Sequence, residues 1–402
     1  MLIDSTLREG AQAFGVYFAP LAKRRMAGIL AASGVDEIEC GWLGQDGLAE
    51  FMGWARANLP APAQGGPALS VWCPCREADV REAASLGVDR LNIGAPSSAA
   101  HRQKRLGLSL AEMRERLLAV VSAARAALVP YISVGLEDAS RAELPEALTL
   151  ARTAVSAGAQ RIRLSDTVGV LTPLSTARLV GTFVRELTVP VAFHGHNDLG
   201  MATANAVTAL ECGASFVDVS ALGLGERAGI AALEEVAAWL ALRCSTIAAS
   251  ATAGVTTSVT TSVTGGQSSA ALAYDLPALR ELCRVVATAA HMPLARNKAV
   301  AGEDVFAAES GIHVHGLLRD PALFEPFAPE AVGATRRVGV GSKSGGAAIE
   351  AAVGAAIGAP LSRLRLPPCG GSGGRSGLLG RVRELAGRLG RPLTEKELLG
   401  VL

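Results

Sequence analysis

The chain has no surplus of charge of either sign. Its 402 residues include 38 lysines and arginines against 37 aspartates and glutamates, which gives a formal net charge of +1. A protein that binds nucleic acid or an anionic membrane surface usually concentrates basic residues on one face. The balanced composition therefore predicts neither a nucleic acid nor a membrane as a partner.

Long apolar runs and paired cysteine motifs are also missing. No uninterrupted apolar stretch reaches the roughly 20 residues that span a bilayer, and the opening residues Met1 to Asp4 lack the features of a signal peptide. Seven cysteines include Cys73 and Cys75, but no C-x-x-C motif suggests structural zinc or a redox site. We therefore expect a soluble, cytoplasmic protein with reduced thiols.

Aromatic residues make up only 4% of the chain, whereas hydrophobic residues reach 50%. Such a composition, rich in alanine, leucine and valine, is typical of helices packed over a parallel sheet. The length exceeds the roughly 250 residues of a single (β/α)8 barrel. It favours one barrel with an appended C-terminal region.

Eight short apolar or β-branched runs alternate with amphipathic, alanine-rich stretches in the first part of the chain. The predicted strands are Leu2–Thr6, Val35–Cys40, Leu69–Cys73, Arg90–Ile93, Pro130–Val134, Arg161–Ser165, Val189–His194 and Ser215–Ser220. Helices are predicted between them, for example at Leu110–Leu128 and Leu144–Ala157. Eight β/α units are the number that closes a barrel. We therefore predict an α/β fold, a (β/α)8 TIM barrel followed by a mainly helical C-terminal region.

The pattern changes beyond residue 244. A Ser/Thr/Gly-rich segment, Ser245 to Ser269, is poor in charge and is typical of a linker or a mobile loop. A helix is predicted from Leu276 to Ala290, and a second break, Pro367 to Gly374, precedes a final helical pair. We therefore divide the chain into a catalytic barrel at 1–244, a linker at 245–275 and helical C-terminal subdomains at 276–402 that complete the active site.

Histidine is scarce, with six in the chain, yet four of them form two His-x-His pairs, His194/His196 and His313/His315. The first pair ends the seventh predicted strand, where side chains two residues apart share a face and can reach one ion. Glu9 follows the first strand at the same barrel rim and can complete the set. Two imidazoles and a carboxylate suit Zn, Mn, Co or Fe(II), and Mg less well.

Two simpler interpretations compete with a metal site. Local hydrogen bonds could satisfy His194 and His196, and Arg8 could form an ordinary rim ion pair with Glu9. The glycine-rich stretch Gly223 to Gly229, after the last predicted strand, could likewise be either a phosphate-binding turn or a plain turn.

Six sequence blocks resemble those of the DRE-TIM metallolyase superfamily, and within it the acetyl-CoA-dependent isopropylmalate and homocitrate synthases. The blocks are Leu7 to Gly10 with Gln12, Glu137 to Arg141, Ser165 to Gly169, Phe193 to Asn205, Gly223 to Gly229 and Glu309 to Gly316. They run in the family's order over residues 4 to 345. The terminal helices from Leu378 are similar to the end of the short, nitrogen-fixation-type homocitrate synthases.

The resemblance implies an acyltransferase that condenses acetyl-CoA with a 2-oxo dicarboxylic acid, 2-oxoglutarate in a homocitrate synthase, and releases CoA. It implies a divalent metal ion on Glu9, His194 and His196 that acts as a Lewis acid on the acceptor. Arg8 would face the oxygen on which negative charge develops.

Further catalytic and binding roles follow from the same resemblance. His313 would transfer the proton, oriented by Glu137, although Glu137 could instead be a structural partner of Arg76 or Arg141. The acceptor pocket would contain the rim residues Gln12, Arg76, Ser133, Ser165 and Thr167. A cationic Arg76 would favour a dicarboxylic acceptor.

The family arrangement also implies a homodimer. His313 lies far beyond the last predicted strand, so its segment must return either to its own barrel or to a partner's. A Ser/Thr-rich linker such as Ser245 to Ser269 gives the reach for a crossed dimer. We favour donation of His313 in trans.

Four positions depart from the family pattern. Ala11 replaces a usual Glu, Ile230 replaces the Asn of many relatives, and Phe324 stands where a tyrosine assists the catalytic histidine. Gly341 to Gly345 replaces a Gly-Lys-His-Ser-Gly block. These changes leave open a Re-type citrate synthase using oxaloacetate, an isopropylmalate or citramalate synthase, a lyase of the hydroxymethylglutaryl-CoA type, or a protein that only binds such ligands.

Overall fold

A computed structural model describes residues 1–252, 274–357 and 375–401. The chain forms two compact units, Met1–Leu294 and Ala295–Leu402. This division differs from the predicted barrel boundary at residue 244, because the helix that follows the last strand continues to Thr252 and the next helix also belongs to the first unit. Most of the predicted linker and the break at Pro367 to Gly374 lie outside the described residues.

The first unit contains a closed barrel of eight parallel strands in chain order, which confirms the predicted TIM barrel. Its strands are β1 (Leu2–Asp4), β2 (Glu37–Trp42), β3 (Ala68–Pro74), β4 (Arg90–Pro96), β5 (Ile132–Glu137), β6 (Arg161–Asp166), β7 (Val191–Gly195) and β8 (Phe216–Val219). β1 pairs with both β2 and β8 and so closes the barrel. All eight predicted strands are present, with ends shifted by a few residues.

Helices connect consecutive strands of the barrel, and two more helices follow the last strand. They are α1 (Pro20–Ala32), α2 (Leu48–Asn58), α3 (Glu77–Ser85), α4 (Leu110–Ala126), α5 (Leu144–Ala157), α6 (Pro173–Glu186), α7 (Ala202–Glu211), α8 (Leu233–Thr252) and α9 (Leu276–Ala289). α4 begins with a reciprocal cap, since Ser109 Oγ accepts from the Glu112 amide and the Glu112 carboxylate accepts from the Ser109 amide. The predicted helices at Leu110, Leu144 and Leu276 are confirmed.

The interior near the N-terminal ends of the strands is charged rather than aliphatic. Glu37 of β2 and Arg161 of β6 are both fully buried, and their side chains meet at 2.8 and 3.1 Å. Arg90 approaches the same carboxylate at 2.7 Å. Burial opposes ionisation of Glu37, but Arg161 and Arg90 outweigh it and lower its pKa to about 2. The Arg161 guanidinium also lies 4.7 Å from the centre of the Phe216 ring.

The second unit is mainly helical, as predicted for the C-terminal region. A two-stranded parallel sheet joins β9 (Ala307–Ala308) to β10 (Arg337–Val338). Its helices are α10 (Gly311–Leu317), α11 (Gly346–Ile357), α12 (Arg375–Leu389) and α13 (Glu395–Val401). The helices α11, α12 and α13 share a core that consists of Val340, Ile349, Val353, Leu378, Val382 and Leu398. Among the helices that the structure describes in either unit, none has the length and apolarity needed to cross a membrane.

We expect Glu37→Leu to destabilise the first unit, because it leaves the buried guanidinium of Arg161 without its main carboxylate. Removing one partner of a buried ion pair costs about 3–5 kcal/mol of unfolding free energy. Glu186→Leu is the matched control, since it breaks an exposed pair with Arg152 that is worth about 0–1 kcal/mol. Thermal unfolding followed by circular dichroism makes the comparison. Equal unfolding midpoints for the two variants would contradict this role of Glu37.

Candidate active site

The three side chains predicted to bind a metal meet at the C-terminal rim of the barrel. His194 lies in β7 and His196 follows one residue beyond the strand, while Glu9 lies in the turn after β1. The Nε2 atoms of the two imidazoles are 3.3 Å apart, and each lies 3.9 to 4.0 Å from an oxygen of Glu9. All three side chains are buried. One donor atom from each residue falls within 4.8 Å of the others.

The chemistry of this triad fits a divalent metal ion. Ligand atoms about 2.0–2.2 Å from one ion lie about 3–4 Å from each other. Burial and the neighbouring His194 lower the pKa of His196 to about 4, so its imidazole is neutral near pH 7. Burial opposes the ionisation of Glu9, but Arg8 and the histidines outweigh it and hold its pKa below the usual value. Neutral imidazoles and an ionised carboxylate are the protonation states that a metal ion requires.

Asp218 of β8 orients one of the ligands. Its Oδ2 atom lies 2.8 Å from Nδ1 of His194, which places the proton on Nδ1 and leaves the Nε2 lone pair facing Glu9. Arg163 approaches the same oxygen at 3.0 Å. Sequence reasoning missed Asp218, although an acidic residue in the middle of the apolar run Phe216 to Val219 is an informative signal.

Glu39 of β2 positions two arginines at the same rim. Its carboxylate accepts from Arg8 Nε at 2.6 Å and from Arg163 at 3.1 Å, and Ser5 Oγ donates to it at 2.7 Å. Arg8 also pairs with Glu9. The ion pair that competed with the metal interpretation therefore exists alongside the triad and supports one of its ligands. Sequence reasoning missed Glu39 as well.

The turn from Gly223 to Gly229 supports Glu9. The amide of Glu226 donates to Glu9 Oε1 at 3.2 Å. Gly229 has a φ of +84°, and a Cβ atom there would lie 1.8 Å from the carbonyl oxygen of Gly223. Glycine is therefore required where the turn doubles back on itself.

Acidic residues at the start of α8 disfavour a phosphate at this turn. Glu234 and Glu235 occupy the first helical turn, where a phosphate would meet like charge instead of a free helix N-terminus. Arg227 of the turn is paired with Asp198 at 2.8 Å. Of the two interpretations of the glycine-rich stretch, these contacts favour the plain turn.

A cavity of about 290 Å³ adjoins the triad. Five residues predicted for catalysis or acceptor binding line it: Arg8, Gln12, Glu137, Ser165 and Thr167. Residues that the sequence did not single out also line it, among them Trp72, Asn92, His101, Arg105, Arg163 and Glu226. The rim of the barrel thus brings most of the predicted set to one pocket.

Two predicted pocket residues lie elsewhere. Ser133 is fully buried, and its Oγ accepts from Arg161 Nε at 3.0 Å. Gly135, two positions further along β5, lines the cavity in its place. Arg76 precedes α3, pairs with Asp79 at 2.5 Å and lines an adjoining cavity. The prediction relied on strand ends inferred from the sequence. These did not give the correct position of either residue along the barrel axis.

Glu137 ends β5 and pairs with Arg105. Neither structural partner considered for it is its partner here, since Arg141 pairs with Asp138 at 2.8 Å and Arg76 pairs with Asp79. The Glu137 carboxylate therefore lies in the cavity wall, held by a residue from the turn after β4.

His313 belongs to the second unit, in α10. Its Nδ1 atom lies within hydrogen-bond distance of Ser310 Oγ, and its ring centre is 4.6 Å from that of Phe324. The position at which the family carries a tyrosine is thus filled by a ring that packs on the imidazole, while Ser310 provides a hydroxyl. A proton-transfer role for His313 remains a prediction.

Two other departures from the family pattern have local structural roles. Ile230 is buried and forms a single β-bridge with His196, beside the metal ligands but without a donor atom to offer them. In the stretch Gly341 to Gly345, the amide of Lys343 donates to the carboxylate of Glu309 at 3.2 Å. This hydrogen bond stabilises the segment that leads into α10. We find no structural account of Ala11.

Comparison with known proteins identifies two family matches and several relatives. The HMGL-like family pattern matches residues 1–264, and that of the homocitrate synthase post-HMGL domain-like family matches residues 300–361. A homocitrate synthase from Frankia alni is 39% identical over 87% of this chain and 92% of its own length. A 2-isopropylmalate synthase from Caldanaerobacter subterraneus is 35% identical over 99% of this chain and 94% of its own length.

Solved structures with the same barrel include a hydroxymethylglutaryl-CoA lyase from Pseudomonas aeruginosa. It superposes with a TM-score of 0.55 at 22% sequence identity, over 71% of this chain and 91% of the lyase. This similarity supports the fold alone.

We expect Asp218→Asn to weaken divalent metal binding about 10–100-fold, because it removes the carboxylate that orients a ligating imidazole. Chelator competition followed by elemental analysis measures the affinity. Asp198→Asn is the matched control, since Asp198 lies two residues beyond His196 but pairs with Arg227. An unchanged affinity in Asp218→Asn, or an equal loss in the control, would contradict the assignment.

Proposed function

Because the chain belongs to the HMGL-like family, and within it to the homocitrate and isopropylmalate synthases, we propose that it condenses acetyl-CoA with a 2-oxo dicarboxylic acid, 2-oxoglutarate first among them. The chain is an acetyl-CoA-dependent 2-oxo acid acyltransferase, since homocitrate synthases at 37–39% identity match 86–87% of it.

The observation that carries the proposal is the buried triad of Glu9, His194 and His196 beside Arg8 in one cavity. These three residues would hold a divalent ion, which would supply Lewis-acid polarisation of the acceptor's 2-oxo group. Zn, Mn, Co or Fe(II) suits the two imidazoles and the carboxylate better than Mg does.

Arg8 has the role of stabilising negative charge. Its guanidinium is fixed by Glu39 on one side and by Glu9 on the other, and its pKa is raised above the usual value because these carboxylates outweigh the effect of burial. A cation held in place before reaction stabilises the alkoxide oxygen that forms when the acetyl carbanion attacks the carbonyl. Gln12, 3.4 Å from Arg8, provides an amide at the same place.

A second and larger cavity, of about 570 Å³, suits acetyl-CoA. It shares Gln12 and Glu226 with the first cavity, so a thioester bound in it would reach the acceptor. Phe14 and Tyr17 expose aromatic rings on its wall, and Lys23 adds a cation. Aromatic faces and a cation are the groups that an adenine ring and phosphates require.

His313 is the proposed proton-transfer residue, with Glu137 as the carboxylate that orients it. Ser310 Oγ lies within hydrogen-bond distance of Nδ1 of His313, so we propose that Nε2 exchanges the proton and that Glu137 takes the place of Ser310 at Nδ1 when His313 docks. His313 and the adjacent Ile312 are both exposed on α10. An exposed imidazole beside an exposed aliphatic side chain supports a catalytic surface that docks against a barrel, and we propose the barrel of a partner subunit in a homodimer.

One observation separates the synthase from a lyase. The match at residues 300–361 is to a domain that follows the HMGL barrel in homocitrate synthases. It favours condensation over cleavage. Oxaloacetate, 2-oxoisovalerate and pyruvate remain the alternative acceptors to be compared with 2-oxoglutarate.

The direct test is the release of free CoA thiol by purified, metal-loaded protein with acetyl-CoA and each of these 2-oxo acids. We expect the greatest kcat/KM with 2-oxoglutarate, and loss of turnover after chelation that returns when metal is restored. A greater kcat/KM with 2-oxoisovalerate or pyruvate would reassign the acceptor.

We expect Arg8→Ala to retain metal but to lose kcat about 100–1000-fold, because its charge is needed chiefly when the acceptor oxygen becomes anionic. Elemental analysis and steady-state kinetics on the same sample separate the two effects. An unchanged kcat would assign Arg8 to structure alone.

We expect complementation between two inactive variants, His196→Ala and His313→Ala, when their subunits exchange. If His313 acts in trans, a mixed dimer contains one barrel with an intact triad that faces an intact His313. Activity should then return in part, whereas either variant alone stays inactive. No recovery despite exchange proven by mass spectrometry, or a monomer in solution, would rule out the crossed arrangement.

A further inference from the structure

Two of the three arginines in the wall of the acceptor cavity are already committed to buried carboxylates. Arg8 is bound by Glu9 and Glu39. Arg163 is bound by Glu39 and Asp218. Their side chains are only 10% and 4% exposed. Each is held in one place, with its charge compensated before any ligand binds.

The third arginine, Arg105, is placed differently. It ends a single helical turn, Ala100–Arg105, that follows β4, and its side chain is 51% exposed. Its partner is Glu137, which lines the same cavity. The turn itself is anchored by the buried Arg102, which binds Glu146 at 2.5 Å. The turn is therefore anchored, while the half-exposed guanidinium of Arg105 is held by one carboxylate in the cavity wall instead of by two buried ones.

We propose that Arg105 is the residue that selects a dicarboxylic acceptor, by binding the carboxylate at the far end of the molecule from the 2-oxo group. This inference rests on the proposed function and deepens it. It gives Arg105 the role that the sequence suggested for Arg76, whose side chain lies outside this cavity with Asp79.

The charge balance explains why such a residue is needed. The 1-carboxylate and the 2-oxo group of the acceptor lie at the triad and Arg8, so a second carboxylate must be buried elsewhere in about 290 Å³. A carboxylate taken from water without a partner costs several kcal/mol. Arg105 can meet it with two parallel N–H bonds. To do so it would release Glu137, the carboxylate proposed to orient His313.

An acceptor with an apolar tail has no second carboxylate for Arg105 to bind. It offers nothing to replace Glu137, so the pair between Arg105 and Glu137 would stay closed and Arg105 would add nothing to its binding. Arg105 thus selects by favouring the dicarboxylic acceptor, the only one of the two that gains a contact from it.

The test compares Arg105→Gln with Lys104→Gln. Lys104 is the preceding residue of the same turn, is exposed and is not part of the cavity wall, so its variant removes one positive charge nearby without touching the pocket. Thiol release gives KM and kcat for 2-oxoglutarate and for 2-oxoisovalerate. Titration calorimetry of each 2-oxo acid into the metal-loaded protein measures binding without turnover.

We expect Arg105→Gln to raise KM and Kd for 2-oxoglutarate about tenfold or more, the loss of about 1.4 kcal/mol of binding. Its values for 2-oxoisovalerate and for acetyl-CoA should change less than about twofold, since neither meets Arg105. Arg105→Lys should restore part of the affinity, because it keeps the charge without the planar fork. Lys104→Gln should behave as the wild type.

An equal rise for both acids, no rise for 2-oxoglutarate, or the same effect in Lys104→Gln or Arg76→Gln would overturn this role. Wild-type turnover of monocarboxylic acceptors alone would overturn it too, while leaving the acyltransferase function intact. If none of the 2-oxo acids supports thiol release, the proposed function is overturned, and this role with it.

Discussion

The carboxylate of Glu39 is the contact on which the active site depends. It is fully buried and binds Arg8 at 2.6 Å and Arg163 at 3.1 Å. Burial opposes its ionisation, but the two guanidinium groups outweigh this and keep its pKa below the usual value. From Arg163 the chain of contacts continues to Asp218 and then to His194. One series of charged contacts therefore connects the residue proposed to stabilise the alkoxide with a candidate metal ligand.

This network requires a closed barrel. Its members come from β2, β6, β7 and β8 and from the turn after β1, which are far apart in the chain. They meet only because β1 pairs with both β2 and β8. Assembly of the site therefore requires closure of the barrel. A buried carboxylate without its arginines would oppose that event strongly, so the sequence must supply both charges together.

The sequence predicted the barrel and the triad but missed the charges between them. Alternating apolar runs and helical stretches report the β/α order, and the two histidines of β7 with Glu9 form a recognisable ligand set. These patterns do not determine the register of strand pairing, which sets the position of each residue along the barrel axis. Ser133 pairs in register with Arg161 and lies below the cavity. Gly135, two residues later, lines it.

The same limitation explains why Arg105 was overlooked in favour of Arg76. Both are cations that follow a strand, and the sequence offers no reason to prefer either. The structure separates them by what surrounds each guanidinium, since Arg76 pairs with Asp79 in the helix that follows it and Arg105 pairs with Glu137 in the cavity wall.

Chemistry and specificity therefore place opposite demands on the arginines of this pocket. A cation that stabilises developing charge must already be oriented, because reorganisation during the reaction would cost part of the stabilisation. Arg8 meets that demand through two buried carboxylates. A cation that distinguishes acceptors must instead respond to what binds, so it needs a partner that it can exchange. Arg105, half-exposed and paired with a single carboxylate in the cavity wall, has that property. With the role proposed for Arg105, substitutions along the turn after β4 would alter the acceptor without disturbing the network at the candidate metal site.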